Sequence, residues 1–307
     1  MTKVFIDGSA GTTGLRIADR LALRQDLELV TLPDALRKDT DARKGAINSA
    51  DIVFLCLPDA AAIEAVSLTE NPNVKIIDTS TAHRTDPTWA YGFPELSGQR
   101  QKILSSNRIA NPGCHASGFV ALVAPLVQSG ILPADTALTC FSLTGYSGGG
   151  KKMIAEYEAP DRSPLLKAPR QYALIQSHKH LKEMVALCSL ETAPVFCPIV
   201  ADFYSGMEVT VPVFRKDLKG TAENIREIYR SYYNSGLVRY ADETDADSML
   251  SAASFSGRDD MLLSVFGNEE RILLTARFDN LGKGASGAAI QNMNLLLGCQ
   301  EAAGLNV

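Results

Sequence analysis

Cys114 stands in the run Asn111-Pro112-Gly113-Cys114, where the residue types and their order could do chemistry. Pro and Gly force a sharp turn, and the apolar segment that follows reads as a helix. The cysteine therefore falls at a helix N-terminus, where unsatisfied N–H groups and the helix dipole favour thiolate over thiol. None of the other five cysteines, at 56, 140, 188, 197 and 299, has this setting, and none forms a CxxC pair. The competing reading of Cys114 is the inert, packed role that most cysteines play.

A proton carrier is available in Ser177-His178-Lys179-His180, with Glu183 after it, the densest polar cluster of the second half. Histidine takes and returns a proton near neutral pH, as thiol chemistry requires. A surface loop is the plainer alternative. A metal pair is a third, but no cysteine spacing completes a ligand set, so no metal is expected. His115 either neighbours the thiolate or is simply exposed.

Two stretches suit an anion. Thr79-Ser80-Thr81-Ala82-His83-Arg84 follows an apolar strand, at the sheet edge where ligands bind in parallel α/β folds. Arg84 offers a planar fork for phosphate or carboxylate. Gly145-Tyr146-Ser147-Gly148-Gly149-Gly150-Lys151-Lys152 combines bare backbone N–H groups with two cations, which suits an anion nest. Either stretch could instead be a solvated turn.

A third loop, Gly8-Ser9-Ala10-Gly11-Thr12-Thr13-Gly14, has the GxxGxxG spacing between a strand and a helix. Its glycines allow a tight turn and close approach to a pyrophosphate, with the helix N–H groups facing the charge. An ordinary glycine-rich turn is the alternative. An NAD site usually places an acid after the second strand to bind the ribose 2′-OH. Here Arg37 and Lys38 lie a little beyond Thr31-Leu32-Pro33, which favours a 2′-phosphate and hence NADP; Asp34 nearby works against this, and a solvated charge pair is the competing reading.

These loops need elements to hold them. Residues 4–7, 27–32, 52–57 and 74–77 read as strands, the third apolar throughout as if buried on both faces. Helical spacing separates them at 15–21 and 60–68. Alternation of this kind predicts βαβ units and a parallel sheet over roughly the first 110 residues. Beyond residue 115 a helix over 116–127 precedes a strand at 137–143. An alternating strand at 207–214 and a hairpin of 262–266 with 272–278 give this half an α+β character. Residues 287–303 read as a final helix. No repeat or low-complexity linker is present.

At 307 residues the length suits two domains, and 46% apolar with 21% charged residues suits a packed core. Thirty Lys plus Arg against 35 Asp plus Glu leave a net charge of −5, which gives no general pull toward nucleic acid or an anionic membrane. No apolar run approaches the ~20 residues needed to span a bilayer. The strand starts too soon after Met1 for a signal peptide, so a cytoplasmic chain with free thiols is expected.

The sequence resembles the N-acetyl-gamma-glutamyl-phosphate reductase family, in its shorter type. The matching stretches are VFIDGSAGTTGLRI (4–17), LCLPD (55–59), IIDTSTAHR (76–84), YGFPEL (91–96), ANPGC (110–114), GYSGGGKKMIAEYE (145–158), HKHLKE (178–183) and GKGASGAAIQNMNLLLG (282–298). The resemblance implies an NADP-binding Rossmann domain of residues 1–114 plus 286–307. A catalytic, substrate and dimerisation domain of 115–285, α+β in character, would complete the chain. It implies Cys114 as nucleophile and His178 or His180 as acid/base. Arg84, Ser147, Gly148, Lys151 and Glu183 would face the acyl-phosphate substrate. Leu57, Pro58, Ser80 and Gly284 would join Gly8, Ser9, Gly11, Thr12, Thr13, Gly14, Arg37 and Lys38 around the cofactor. A homo-oligomer, dimer or tetramer, is also implied.

One departure is visible. The family commonly has Tyr and then Pro-Thr after the cysteine, and this chain has His115-Ala116-Ser117. A protonated His115 would favour the thiolate, and a neutral one would do little. The nearest rival reading is an aspartate-semialdehyde dehydrogenase, which shares the chemistry but takes a smaller, amino-bearing acyl phosphate. A non-catalytic NADP-sensing regulator is the rival from another class.

Overall fold

The computed structural model describes residues 1–307 except Ser235, and of Asp247 the backbone alone. The chain forms two compact units, Met1–Pro112 with Ala285–Leu305, and Gly113–Gly284 with Asn306–Val307.

The first unit runs β1 (Thr2–Asp7), α1 (Thr12–Leu21), β2 (Leu27–Val30), α2 (Thr40–Ser49), β3 (Ile52–Leu55), α3 (Asp59–Ser67), β4 (Lys75–Asp78), β5 (Ala90–Tyr91), α4 (Gln99–Ser105) and β6 (Arg108–Ala110). All six strands are parallel, in the order β2-β1-β3-β4-β6-β5. Alternate residues of the strands feed two separate cores. Val4, Ile6, Ile52, Phe54 and Ile77 pack with Ile17 and Leu21 of α1 and with Ile290 and Met293 near the C-terminus. Phe5, Val53, Leu55 and Ile76 pack with Ile47 of α2 and with Ala62 and Ala65 of α3. Two covered faces explain why 52–55 reads as unbroken apolar sequence. Each such side chain contributes about 1.5–3 kcal/mol through burial.

The second unit opens with α5 (Cys114–Gln128) and continues through β7 (Thr139–Gly145), α6 (Gly150–Glu158), β8 (Arg170–Gln171), α7 (His180–Cys188), β9 (Val195–Ala201), β10 (Met207–Phe214), α8 (Ala222–Tyr232), β11 (Val238–Tyr240), β12 (Met261–Gly267) and β13 (Arg271–Phe278). The chain then returns to the first unit as α9 (Gly287–Leu297). The seven strands form one mixed sheet, β11-β12-β13-β10-β7-β9-β8. The expected hairpin is present, with Val265 opposite Leu274.

Helix α5 is the spine of this unit, buried from His115 to Leu126. It lies close on the sheet at Gly118, where a Cβ would stand 2.6 Å from Val209 Cγ2 and 2.8 Å from Phe278 Cε1. This packing carries Cys114 into the second unit, although the sequence reading ended the first domain at 114. Pro125, inside the helix, has no N–H to give the Ala121 carbonyl. The Tyr233 hydroxyl donates to that carbonyl at 2.7 Å, and the Tyr229 hydroxyl donates to Leu122 O at 2.5 Å.

Candidate active site

The glycine loop turns between β1 and α1 as its spacing predicts. Gly8 has φ +88°, and a Cβ there would lie 2.3 Å from Cys56 O. A Cβ on Gly14 would lie 2.5 Å from Gly8 O. Only glycine fits at these two points. Helix α1 begins at Gly11 with no side-chain cap and no acid in its first turn. The Thr12 hydroxyl is buried with no hydrogen-bond partner. A pyrophosphate suits this set of donors.

Beside the loop is a cavity of about 420 Å³, lined among others by Gly8, Ser9, Thr31, Arg37, Lys38 and Leu57. No carboxylate follows directly on β2. Arg37 pairs with Asp34 at 2.8 Å, and both are exposed. Arg43 also reaches the cavity, but its guanidinium is held by buried Asp7 at 3.0 Å and by Glu64 at 2.8 Å. Burial, the largest influence on Asp7, raises its carboxyl above the usual range although Arg43 opposes this. Pro58 caps α3 and lies outside the cavity lining.

The turn after β4 is organised around buried Asp78. Its carboxylate accepts from Ser80 N–H at 2.9 Å and Ser80 Oγ at 2.7 Å, and it meets His83 Nδ1 at 2.7 Å. Ser80, expected at the cofactor, thus spends its donors inside the turn. Arg84 is buried in the same turn and donates to Thr79 O at 2.9 Å.

In the second unit the Cys114 site is assembled from distant segments. Cys114 is the first residue of α5 and is half-buried. The Gly113 N–H donates to Glu183 Oε2 at 3.0 Å, so buried Glu183 holds the turn before the cysteine. The sequence reading had turned that carboxylate toward substrate. Gly284, expected at the cofactor, lies against Cys114: a Cβ there would stand 2.9 Å from Cys114 Cβ. The turn carrying Gly284 is fixed by Asp279, whose carboxylate accepts from Leu281 N–H at 2.6 Å and Gly282 N–H at 2.9 Å.

Three imidazoles cluster here, two of them beside Cys114. His180 opens α7 and is buried. The His115 and His180 rings are 5.5 Å apart, and His178 and His180 are 4.7 Å apart. Cys114 Sγ and one nitrogen each of His115 and His180 all lie within 4.8 Å of one another. His178 Nδ1 accepts the His180 N–H at 3.2 Å, which makes it a cap on α7. His115 is buried between two hydroxyls, Ser142 Oγ at 2.6 Å from Nδ1 and Tyr172 OH at 2.7 Å from Nε2. Burial, helped by His178 and Lys179, pushes its pKa from 6.5 down to about 3. His115 is therefore neutral, the form that does little for the thiolate. Burial, together with Cys114, raises the Tyr172 hydroxyl. Among the thiols away from the site, burial pushes Cys56 up to about 12 and holds Cys188 well above its usual range.

The 145–152 loop is less open than its glycines suggest. Gly145, Tyr146 and Ser147 donate their N–H groups to the carbonyls of Gly206, Phe203 and Tyr204. Ser147 is buried and its Oγ accepts from Asn280 Nδ2 at 3.0 Å, so it braces the loop. Gly148, in the turn before α6, and Lys151, in its first turn, remain exposed. Tyr172, Ser142, Asp279 and Asn280 escaped sequence reasoning. Only Asp279-Asn280, just before the Gly-rich 282–287 stretch, carried any local signal.

Comparison with known proteins follows the same division. Residues 3–105 match the semialdehyde dehydrogenase NAD binding domain, and residues 114–280 match the semialdehyde dehydrogenase dimerisation domain. The N-acetyl-gamma-glutamyl-phosphate reductase of Burkholderia lata is 45% identical over 310 residues, 98% of each chain. N-acetyl-gamma-glutamyl-phosphate reductase 2 of Nostoc sp. is 44% identical over 318 residues, 99% of each. Among solved structures, aspartate semialdehyde dehydrogenase II of Vibrio cholerae matches with a TM-score of 0.72 at 16% identity, over 97% of this chain and 98% of that one, a likeness of fold. With both domains matched and about 45% identity over nearly the whole length of such relatives, the chain belongs to the N-acetyl-gamma-glutamyl-phosphate reductase family.

Proposed function

We propose that the protein reduces N-acetyl-gamma-glutamyl phosphate to N-acetylglutamate 5-semialdehyde with release of phosphate, using NADPH, as a step of arginine biosynthesis. The observation that carries this reading is Cys114 at the start of α5 with His180 beside its sulfur. Identity near 45% with the reductases, against 16% with the aspartate enzyme, favours the acetylated substrate over the aspartyl one.

The chemistry divides among residues of this chain. Cys114 thiolate attacks the acyl carbon, the C–O bond to phosphate breaks, and a thioester remains. Amides of the first turn of α5 hold the oxyanion. His180 takes the thiol proton; His178 supports α7 and is the lesser candidate, since its Nδ1 is engaged. When bound, the dinucleotide supplies the hydride that the thioester carbon accepts. Collapse then breaks the C–S bond, returns Cys114 to thiolate and frees the aldehyde. Lys38, with Arg37, is the proposed partner of a 2′-phosphate, and Arg84 and Lys151 are the proposed partners of the substrate phosphate. Exposed Phe141, Val195 and Leu273 share one face of the seven-stranded sheet, which supports assembly as a homo-oligomer.

The test is phosphate-dependent reduction of NADP⁺ by N-acetylglutamate semialdehyde. Cys114→Ala should lower the rate by at least ~10³-fold with NADPH affinity nearly unchanged. Absence of activity in a folded, NADPH-binding wild type overturns the substrate assignment.

A further inference from the structure

We infer that Cys114, His115 and His180 form a site for a thiophilic divalent cation of the Zn²⁺ class, whose occupancy switches the nucleophile off. The sulfur and one nitrogen of each ring already lie within 4.8 Å of one another. With Zn–S and Zn–N bonds of about 2.3 and 2.0 Å, tetrahedral ligand atoms stand about 3.5 Å apart. Small side-chain rotations close that difference. One thiolate and two imidazoles select borderline-soft metals over Mg²⁺ or Ca²⁺. Cys114 is half-buried, and solvent water would supply the fourth ligand.

His115 completes the set. Adjacent to Cys114 on the first turn of α5, it supplies the third ligand that His180 and Cys114 lack by themselves. Both its nitrogens are anchored, to Ser142 and to Tyr172. Whichever nitrogen turns to the metal, the other keeps its hydroxyl partner, the support that metal-bound imidazoles usually have. Binding forms a metal–sulfur bond and releases the thiol proton to solvent, one proton per cation. Sequence spacing hid the set, because two ligands are consecutive and the third is 65 positions away (180 − 115).

Binding itself stands on this geometry; only the inhibition rests on Cys114 acting as the nucleophile proposed above. The test uses the full chain, reduced and freed of metal, titrated with Co²⁺. One Co²⁺ per chain should give a thiolate-to-cobalt charge-transfer band, absent in Cys114→Ser. His115→Phe should weaken binding at least about tenfold. Should that variant fail to fold, His115→Tyr, carrying the residue common in the family, serves in its place. Zn²⁺ should inhibit the wild-type reductase, with recovery on adding a chelator. No charge-transfer band in folded wild type, or equal Co²⁺ affinity in the His115 variants, overturns the inference and leaves the reductase reading intact. A band in a protein with no reductase activity does the reverse.

Discussion

Helices α1 and α5 both have glycine at the N-cap, Gly11 and Gly113, and they are finished in opposite ways. Neither start has a side-chain cap or an acid in its first turn, but that of α1 is bare, with the Thr12 hydroxyl buried without a partner. The start of α5 is crowded by the protein itself. Glu183 takes the Gly113 N–H, Gly284 abuts Cys114, and two imidazoles stand beside the sulfur. An anion site must keep donors vacant for its ligand. A thiol site must build its own surroundings, since the sulfur is already part of the chain.

A pair of glycine substitutions sharpens this contrast most. Gly284→Ala puts a methyl 2.9 Å from Cys114 Cβ. Displacing a nucleophile by an ångström or less can cost about 100-fold in kcat. Gly8→Ala, with φ +88° and Cys56 O at 2.3 Å, should instead weaken NADPH binding. Rates of Cys114 alkylation and NADPH dissociation constants, measured on both variants, check this. If each variant disturbs both quantities, the two helix starts are not separately built.

The next effect concerns acid stability. An unfolded chain takes up a proton on His115 near pH 6.5, while the native chain refuses it until about pH 3. Stability therefore falls as pH drops through that window, by up to about 1.4 kcal/mol per unit. From pH 6.5 to 5 the loss is about 1.7 kcal/mol, read by urea unfolding with a chelator present. His115→Phe should flatten this limb. The smallest effect falls on the open cavity. Lys38→Ala should lower the preference for NADPH over NADH by about tenfold, the worth of one charge-assisted contact, with kcat unchanged at saturation. An unaltered ratio of kcat/KM values would free Lys38 of that role.

Legibility in the sequence follows the same contrast. The glycine loop works through seven consecutive residues, so its spacing announces it. The parallel strands are equally plain, because burial on both faces makes them apolar throughout. Helix α2 was missed: only Arg43, Ala46 and Ile47 are buried along it, too few for a visible period. Cys114 stands out from its local turn, yet nothing near Ser142 or Tyr172 in sequence indicates that their hydroxyls grip His115. The 145–150 glycines misled in the other direction. Composition suggested vacant amides, and the 203–206 carbonyls had already taken three of them.

Pro125 has a consequence for how this chain can change over time. The Ala121 carbonyl it leaves without a main-chain donor is served by the phenol of Tyr233, more than a hundred positions away. While the proline remains, losing that phenol strands a buried acceptor, at about 1–3 kcal/mol. Once another residue replaces the proline, its N–H can take over and the tyrosine becomes dispensable. The two positions thus have a permitted order of substitution, proline first, and a lineage that tries the reverse order must cross a less stable intermediate.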